Sequence, residues 1–162
     1  MNQRYGKDLE AVYNLYDLKA DVELPKAINR LSTDCEMILL VRKQIRWITQ
    51  KAAKSYFYHF TRVTPTEAGK VLGAYHGAVI PYVFGHIGPN WGKASQVDIA
   101  LSDAMMGYWT RFAKTGDPNG NGLLKWPSYE TQSDMYMDLG DEITARNHLW
   151  KDKLDIIESI LG

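Results

Sequence analysis

One histidine in this chain lies in a setting that suits acid–base chemistry. His76 comes three residues after Gly73 and directly before Gly77. Four large apolar residues follow in the same stretch: Ile80, Tyr82, Val83 and Phe84. Because glycine adopts backbone angles that other residues avoid, the chain can turn sharply around the histidine while the apolar residues anchor the exit of the turn. An imidazole held in place suits a general base, since its pKa lies near neutrality. A lone histidine is more often structural, so this pattern by itself leaves both roles open.

The remaining histidines and the single cysteine do not form a recognised site. His59, His86 and His148 have no zinc-ligand spacing, either among themselves or with Cys35. The chain also lacks the glycine patterns of phosphate-binding and dinucleotide-binding loops. We therefore expect no metal ion and no cofactor.

Composition and charge disfavour two classes of partner. The 162 residues contain 19 lysines and arginines against 19 aspartates and glutamates, so nothing favours a nucleic acid or an anionic membrane. With 45% apolar and 23% charged residues and no repeat or linker, we predict one globular segment over residues 1–162, without an internal boundary. No apolar run approaches a membrane span, and the first residues lack the apolar core of a signal peptide. A single cysteine gives no sign of an oxidising compartment, so a cytoplasmic location is expected.

Helical spacing dominates the first third of the chain. A short amphipathic helix is predicted at residues 8–17, and Pro25 fits the first turn of a second helix. Thr33 and Glu36 fit a capping box that opens a third helix, running to about Ala53. Its buried side is expected to carry Ile38, Val41, Ile45 and Ile48. Its solvated face is expected to carry three basic residues: Arg42, Lys43 and Arg46.

Strand and helix signals alternate in the rest of the chain. Residues 55–61 are aromatic and β-prone on both faces, which is typical of a strand inside a sheet. The longest helix is predicted over residues 96–114, with Ser95 and Asp98 as a capping box and Gly116 as its C-cap. Its apolar stripe is expected in the core: Val97, Leu101, Ala104, Met105, Tyr108 and Phe112. The last two predicted elements are a short strand at 135–139 and a helix from about Ala145 to Leu161.

Three stretches together resemble the C-terminal part of the type-B carboxylesterases, the family that includes the cholinesterases. They are residues 73–85, 101–119 and 126–129. The first follows the family pattern Gly-x-x-His-Gly-x-Glu-Ile-x-Tyr/Phe-Val-Phe-Gly, and the resemblance implies that His76 is the catalytic histidine. It runs from about Leu9 to the C-terminus and implies part of an α/β-hydrolase fold, with a few strands of an incomplete sheet packed with several helices. Val79 departs from the pattern, because the family usually has glutamate there and so a polar partner near the loop is missing.

The resemblance also bears on two further residues. Asp34 matches a common acidic position of the family; its alternative role is to stabilise the N-terminus of the third helix by its charge. Trp91 lies in a loop, residues 85–93, that varies with substrate in the resembling enzymes. It either lines an acyl or alcohol pocket or covers an edge of the core. His86, in the same loop, is expected either at the surface or in a hydrogen bond.

Ester hydrolysis by a serine enzyme needs more groups than this sequence contains. It requires a serine nucleophile, a histidine, an acid that orients the histidine, and an oxyanion hole. The nucleophile normally occupies a Gly-x-Ser-x-Gly elbow, and no serine here has glycines at both flanking positions. The resemblance implies that the serine and the acid precede this region. We therefore expect the C-terminal segment of a serine carboxylesterase acting on a carboxylic ester, inactive alone, with exposed edges that favour the missing N-terminal segment or self-association.

A function of a different class is also open. The chain could be a stand-alone, non-enzymatic module that uses the esterase fold for binding or dimerisation. Related esterases can pair through their C-terminal helices, and Trp150 and Leu154 on the last predicted helix would carry such a contact.

Overall fold

The computed structural model describes residues 8–16, 24–51, 54–87, 91 and 93–161. These residues fall into two units, one of Met1–Lys51 with Leu149–Gly162 and one of Ala52–His148, and each is described by itself. The prediction of one segment without an internal boundary stays a prediction.

Helices and a small sheet alternate along the chain. The helices are α1 (Leu9–Tyr16), α2 (Leu24–Thr33), a π-helical turn (Asp34–Ile38), α3 (Leu39–Gln50), α4 (Glu67–Leu72), α5 (Ile80–Val83), α6 (Gln96–Thr115) and α7 (Lys151–Leu161). The strands are β1 (Tyr58–Phe60), β2 (Met135–Leu139) and β3 (Ile143–Asn147). Among the described helices, none combines the length and apolar character needed to cross a membrane.

The first unit is a helical cluster in which the helical backbone continues from α2 past Thr33, where the sequence predicted that a new helix begins. Thr33 does not cap a helix: its backbone is helical (φ −59°, ψ −47°) and its hydroxyl donates to the carbonyl of Asn29. The reason is that the buried stripe runs unbroken through this point. Ala27, Leu31 and Cys35, spaced four residues apart, all lie in the core. The helix signal of Pro25 was correct, whereas the capping box at Thr33 was wrong.

The buried face of α3 also differs from the prediction. Ile45 is buried, but Val41 and Ile48 are exposed, and Leu39 and Arg42 are buried instead. The π-helical turn before α3 explains this shift, because its wider i→i+5 turn changes the phase of the stripe that follows. Arg42, expected to be solvated, is only 1% exposed and pairs with Asp155 at 2.8 Å.

Asp34 is buried inside this unit and does not stand at a helix N-terminus. Its carboxylate accepts a hydrogen bond from the Tyr16 hydroxyl (2.6 Å) and one from Lys153 Nζ (3.1 Å). The helix-end role predicted for its charge is therefore wrong. The apolar residues packed around this group, which include Leu154 and Ile157 of α7, form the core of the unit.

The second unit contains a mixed sheet in the order β1–β2–β3. β1 pairs parallel to β2, with Tyr58 opposite Met137, and β2 pairs antiparallel to β3, with Met137 opposite Ala145. The predicted α/β class and incomplete sheet are confirmed. β1 is shorter than predicted and is not buried on both faces, since Tyr58 is 36% exposed. β3 was missed, and part of it was assigned to the last helix.

Helix α6 packs on the sheet with the predicted caps at both ends. Ser95 and Asp98 form a capping box, and Gly116 closes the helix in the left-handed conformation (φ 72°, ψ 6°). The middle of the apolar stripe joins one core cluster: Tyr82, Leu101, Met105, Tyr108, Trp126, Met137 and Leu139. Val97 and Phe112, near the ends of this 20-residue helix, are exposed, because the helix is longer than the core that it covers.

Candidate functional site

His76 lies in a tight turn between α4 and α5. Gly73 and Gly77 both have positive φ angles, 70° and 86°, as the sequence predicted for a chain that turns sharply here. Two backbone hydrogen bonds close the turn: the Ala78 amide donates to the Tyr75 carbonyl (3.0 Å), and the Ile80 amide donates to the Gly77 carbonyl (3.1 Å). The side chain of His76 is exposed. Within the described ranges, no carboxylate contacts the imidazole as an orienting acid would.

The exit of this turn is anchored by fewer residues than predicted. Tyr82 and Ala78 are buried, at 0% and 1% exposure, whereas Ile80 and Phe84 are 56% and 66% exposed. Since α5 is one helical turn, Ile80 and Phe84, four residues apart, share a face that points away from the core. The expectation that Ile80 and Phe84 bury the exit was wrong. Tyr82 is the main residue that anchors the exit of the turn in the core.

A buried carboxylate receives the Tyr82 side chain. Asp98 is 0% exposed and its Oδ1 accepts hydrogen bonds from the Tyr82 hydroxyl (2.7 Å) and Arg62 Nε (2.8 Å). Its Oδ2 accepts from Arg62 Nη2 (3.0 Å), the Ser95 amide (2.8 Å) and the Ser95 hydroxyl (2.7 Å). The four residues Asp98, Tyr82, Arg62 and Ser95 are called the Asp98 cluster below. The cluster joins Arg62, two residues after the end of β1, to the start of α6 and to α5.

The electrostatics of the Asp98 cluster favour the ion pair. Burial alone would raise the pKa of Asp98, but hydrogen bonds from Arg62, Tyr82 and Ser95 outweigh it and hold that pKa well below its usual range. Burial, together with the hydrogen bond to the Asp98 carboxylate, raises the pKa of Tyr82, so its hydroxyl stays a donor. The hydrogen bond to Asp98 raises the pKa of Arg62. Asp98 therefore remains a carboxylate at neutral pH.

Sequence reasoning found only part of this cluster. Ser95 and Asp98 were identified as a capping box, but Arg62 and the bond to Tyr82 were not. The only sequence signal for Arg62 is a positive charge just after a predicted strand, which does not identify its partner 36 residues away.

The other predicted site residues lie near this cluster or at the surface. The Trp91 ring packs edge-on against Tyr82, with ring centroids 5.0 Å apart, and joins the edge of the core. This contact fits the covering role of Trp91, while a role in a substrate pocket stays a prediction. His86 is exposed, in agreement with the expected surface position. Over the ranges that the structure covers, no three histidine, cysteine, aspartate or glutamate side chains gather as metal ligands.

The serines near Tyr82 are engaged in other bonds. The Ser95 hydroxyl donates to Asp98 (2.7 Å), and the Ser102 hydroxyl donates to the carbonyl of Tyr82 (2.9 Å). The Ser95 bond belongs to the cap of α6, and the Ser102 bond links α6 to α5. Neither serine has the partner that a nucleophile needs, which is the imidazole of a base.

Comparison with known proteins identifies the family. The model of the carboxylesterase family matches residues 1–157. The chain is 32% identical to carboxylesterase 5A of Canis lupus familiaris, over 90% of this chain and 28% of that protein. It is 34% identical to the bile salt-activated lipase of Rattus norvegicus, over 69% of this chain and 21% of that protein.

A solved structure agrees with these relatives. The structure of a PNB esterase superposes with a TM-score of 0.57 and 26% identity, covering 70% of this chain and 23% of that one. The chain thus spans less than a third of the length of each of these three proteins. Its helices and three-stranded sheet form part of an α/β-hydrolase fold, and the chain belongs to the carboxylesterase family.

Proposed function

We propose that this chain is the C-terminal part of a serine carboxylesterase, and that His76 is the catalytic base and acid of the complete enzyme. The observation that carries the proposal is the exposed imidazole on a sharp turn flanked by Gly73 and Gly77, within a chain of the carboxylesterase family. Exposure matters because a general base must reach the proton that it removes. The substrate is a small-molecule carboxylic ester, and Trp91 contributes to its pocket.

The reaction follows from the chemistry of an imidazole. His76 takes the proton of the serine hydroxyl as the serine oxygen attacks the ester carbonyl, and then gives that proton to the leaving alcohol. In the second half His76 takes a proton from water, whose oxygen attacks the acyl-enzyme, and returns it to the serine oxygen. The serine, the acid that orients His76 and the oxyanion donors come from the missing N-terminal segment. This chain alone is therefore inactive, and the cytoplasmic location stays a prediction of the sequence.

A chimera tests the role of His76. The C-terminal part of the PNB esterase that this chain matches is replaced by residues 1–162, and hydrolysis of a p-nitrophenyl ester is followed. His76→Ala should lower kcat roughly a million-fold, because a triad without its base keeps only the contribution of the oxyanion hole and binding. His86→Ala is the matched control, since it removes another exposed histidine ten residues further along. Equal kcat values for the two variants, at matching melting temperatures, would contradict the proposal.

The isolated chain gives a second test. A fluorophosphonate probe labels only a serine that a neighbouring base activates, so the purified 162-residue chain should stay unlabelled. Labelling that disappears in His76→Ala would show that a serine of this chain is activated, and the inactivity of the chain alone would then be wrong.

Dimerisation through the last helix has less support. Leu154 is 0% exposed and packs inside the core of its own unit, so it is not available to a partner helix. Trp150 is 43% exposed and is the one residue of the suggested pair that can reach another molecule. The binding-module alternative stays a prediction that rests on Trp150.

A further inference from the structure

We propose that Asp98 and Tyr82 are positioning residues for His76: the buried Asp98 holds Tyr82, and Tyr82 holds the turn that carries the imidazole. The inference rests on the proposed function, in which His76 is the catalytic base. Nothing in the family pattern of residues 73–85 marks Asp98, which lies outside that stretch.

The first step is that Asp98 is itself immobile. Five hydrogen bonds converge on its two oxygens, at 2.7–3.0 Å, from Tyr82, Arg62 and Ser95. A carboxylate offers about four lone-pair sites, so the hydrogen-bonding capacity of Asp98 is filled. Its donors come from three different parts of the fold, and no rotamer change of Asp98 could keep them all.

The second step is that Tyr82 is held at both ends. Its hydroxyl donates to Asp98, and its carbonyl accepts the hydroxyl of Ser102 at 2.9 Å. Its ring packs between Phe60 and Trp91, with ring centroids at 5.3 Å and 5.0 Å. These contacts of Tyr82 therefore prevent α5 from sliding along its axis and from rotating about it.

The third step connects Tyr82 to His76 through the backbone. The Tyr82 and Val83 amides both donate to the Val79 carbonyl, at 3.1 Å and 3.2 Å, and the Ile80 amide donates to Gly77 at 3.1 Å. Ala78, between Gly77 and Val79, is buried at 1% exposure. A displacement of Tyr82 thus moves the consecutive turns that end at His76. Because glycines flank the turn, little else in the local backbone resists such a movement.

Helix capping alone does not account for this arrangement. Ser95 and the Asp98 carboxylate complete the capping box by themselves, without Arg62 or Tyr82. Burying the arginine–aspartate pair costs desolvation energy, and the attraction between the two charges only partly offsets that cost. Buried ion pairs are therefore weak sources of stability, and their better-attested role is to select one packing arrangement of the chain. The Asp98 cluster selects one position of α5 relative to α6.

Amide hydrogen exchange on the 162-residue chain tests the positioning. Tyr82→Phe removes the hydroxyl bound to Asp98 and keeps the ring. Tyr108→Phe is a matched control, because it removes a tyrosine hydroxyl bond of the same 2.7 Å length, to the Leu124 carbonyl, from the same core. Tyr82→Phe should accelerate exchange of the Ala78 and Ile80 amides about tenfold to a hundredfold, the range set by losing a buried bond to a charged group. Tyr108→Phe should leave these amides unchanged.

Two further readouts separate positioning from general destabilisation. The ring resonances of His76 should shift and broaden in Tyr82→Phe and not in Tyr108→Phe. Ser102→Ala, which releases the other end of Tyr82, should reproduce the effect of Tyr82→Phe and covers the case in which that variant fails to fold. Equal exchange rates and equal His76 spectra in the Tyr82, Ser102 and Tyr108 variants would overturn the inference.

The esterase chimera distinguishes a failure of this inference from a failure of the proposed function. Tyr82→Phe should lower kcat at least tenfold with KM nearly unchanged, while Tyr108→Phe changes neither. If His76→Ala abolishes turnover but the two tyrosine variants behave alike, the positioning role is wrong and the proposed function stands. If His76→Ala is as active as the parent chimera, the proposed function is wrong, whatever the tyrosine variants show.

Discussion

Replacing Asp98 by asparagine should lower the free energy of unfolding of the second unit by about 3 to 5 kcal/mol at pH 7. The amide keeps the shape of the side chain but removes its negative charge. That charge lies 2.8 Å from Arg62, on a side chain that is fully buried. Among the described residues, the only carboxylate left to Arg62 is then Asp141, at 2.6 Å, whose side chain is 76% exposed. Because an exposed ion pair contributes about 1 kcal/mol at most, Asp141 cannot replace Asp98.

The loss should depend on pH in a defined direction. Hydrogen bonds from Arg62, Tyr82 and Ser95 outweigh the opposing effect of burial, so the pKa of Asp98 in the folded chain lies below its unfolded value of about 3.9. A lowered pKa contributes stability that is fully present above the unfolded value and is lost as pH falls through the folded value. The difference between the wild type and Asp98→Asn should therefore be constant from about pH 7 to pH 5 and should shrink below about pH 4.

Urea unfolding, followed by circular dichroism at pH 7, 5, 4 and 3, measures this difference. Arg146→Gln is the control in the same unit, because Arg146 pairs with Asp138 at 2.9 Å but is 57% exposed. It should cost less than about 1 kcal/mol at every pH. The reasoning would be refuted if both substitutions cost the same at pH 7, or if the effect of Asp98→Asn were unchanged at pH 3.

Two further predictions concern packing. Gly69→Ala should destabilise the second unit by about 3 kcal/mol, the upper end of the usual cost of overpacking, because a methyl group there would overlap the backbone carbonyl of Thr64. Gly116→Ala has no neighbouring atom within 4 Å and should cost only about 1 to 2 kcal/mol for its left-handed backbone; thermal melting compares the two. In the first unit, Leu154→Ala should cost about 2 to 5 kcal/mol by leaving a cavity. Ile156→Ala, 43% exposed on the same helix, should cost under about 1 kcal/mol, and similar urea midpoints for the two would contradict this account of the core.

Features that depend on a few neighbouring residues could be predicted from the sequence. The capping box of Ser95 and Asp98, the C-cap at Gly116 and the positive φ angles at Gly73 and Gly77 were all confirmed. Each is determined by local backbone geometry, for which serine, aspartate and glycine are specific. The turn around His76 was predictable for this reason.

Features that depend on distant partners were not predictable. Arg62 binds Asp98 across 36 positions, and no local spacing encodes that pair. At Thr33 the sequence has a local capping pattern, but tertiary packing overrides it. The buried face of the helix continues through Leu31 and Cys35, and so the helix continues as well. The strand β3 was missed because its last residues are exposed and it has no buried apolar face that a sequence pattern could reveal. Its pairing with β2 is what defines it as a strand.

The parallel pairing of β1 with β2 has a consequence for synthesis of the chain. β2 and β3 are joined by residues 140–142 and can pair as soon as both have left the ribosome, whereas β1 must wait for β2 through about 75 residues of elongation. At ordinary rates of translation that interval lasts roughly 4 to 15 seconds. During this time Phe57 and Phe60 lack their neighbours on β2, so the nascent chain passes through a period in which an aromatic, β-prone segment is open to chaperones and to other nascent chains.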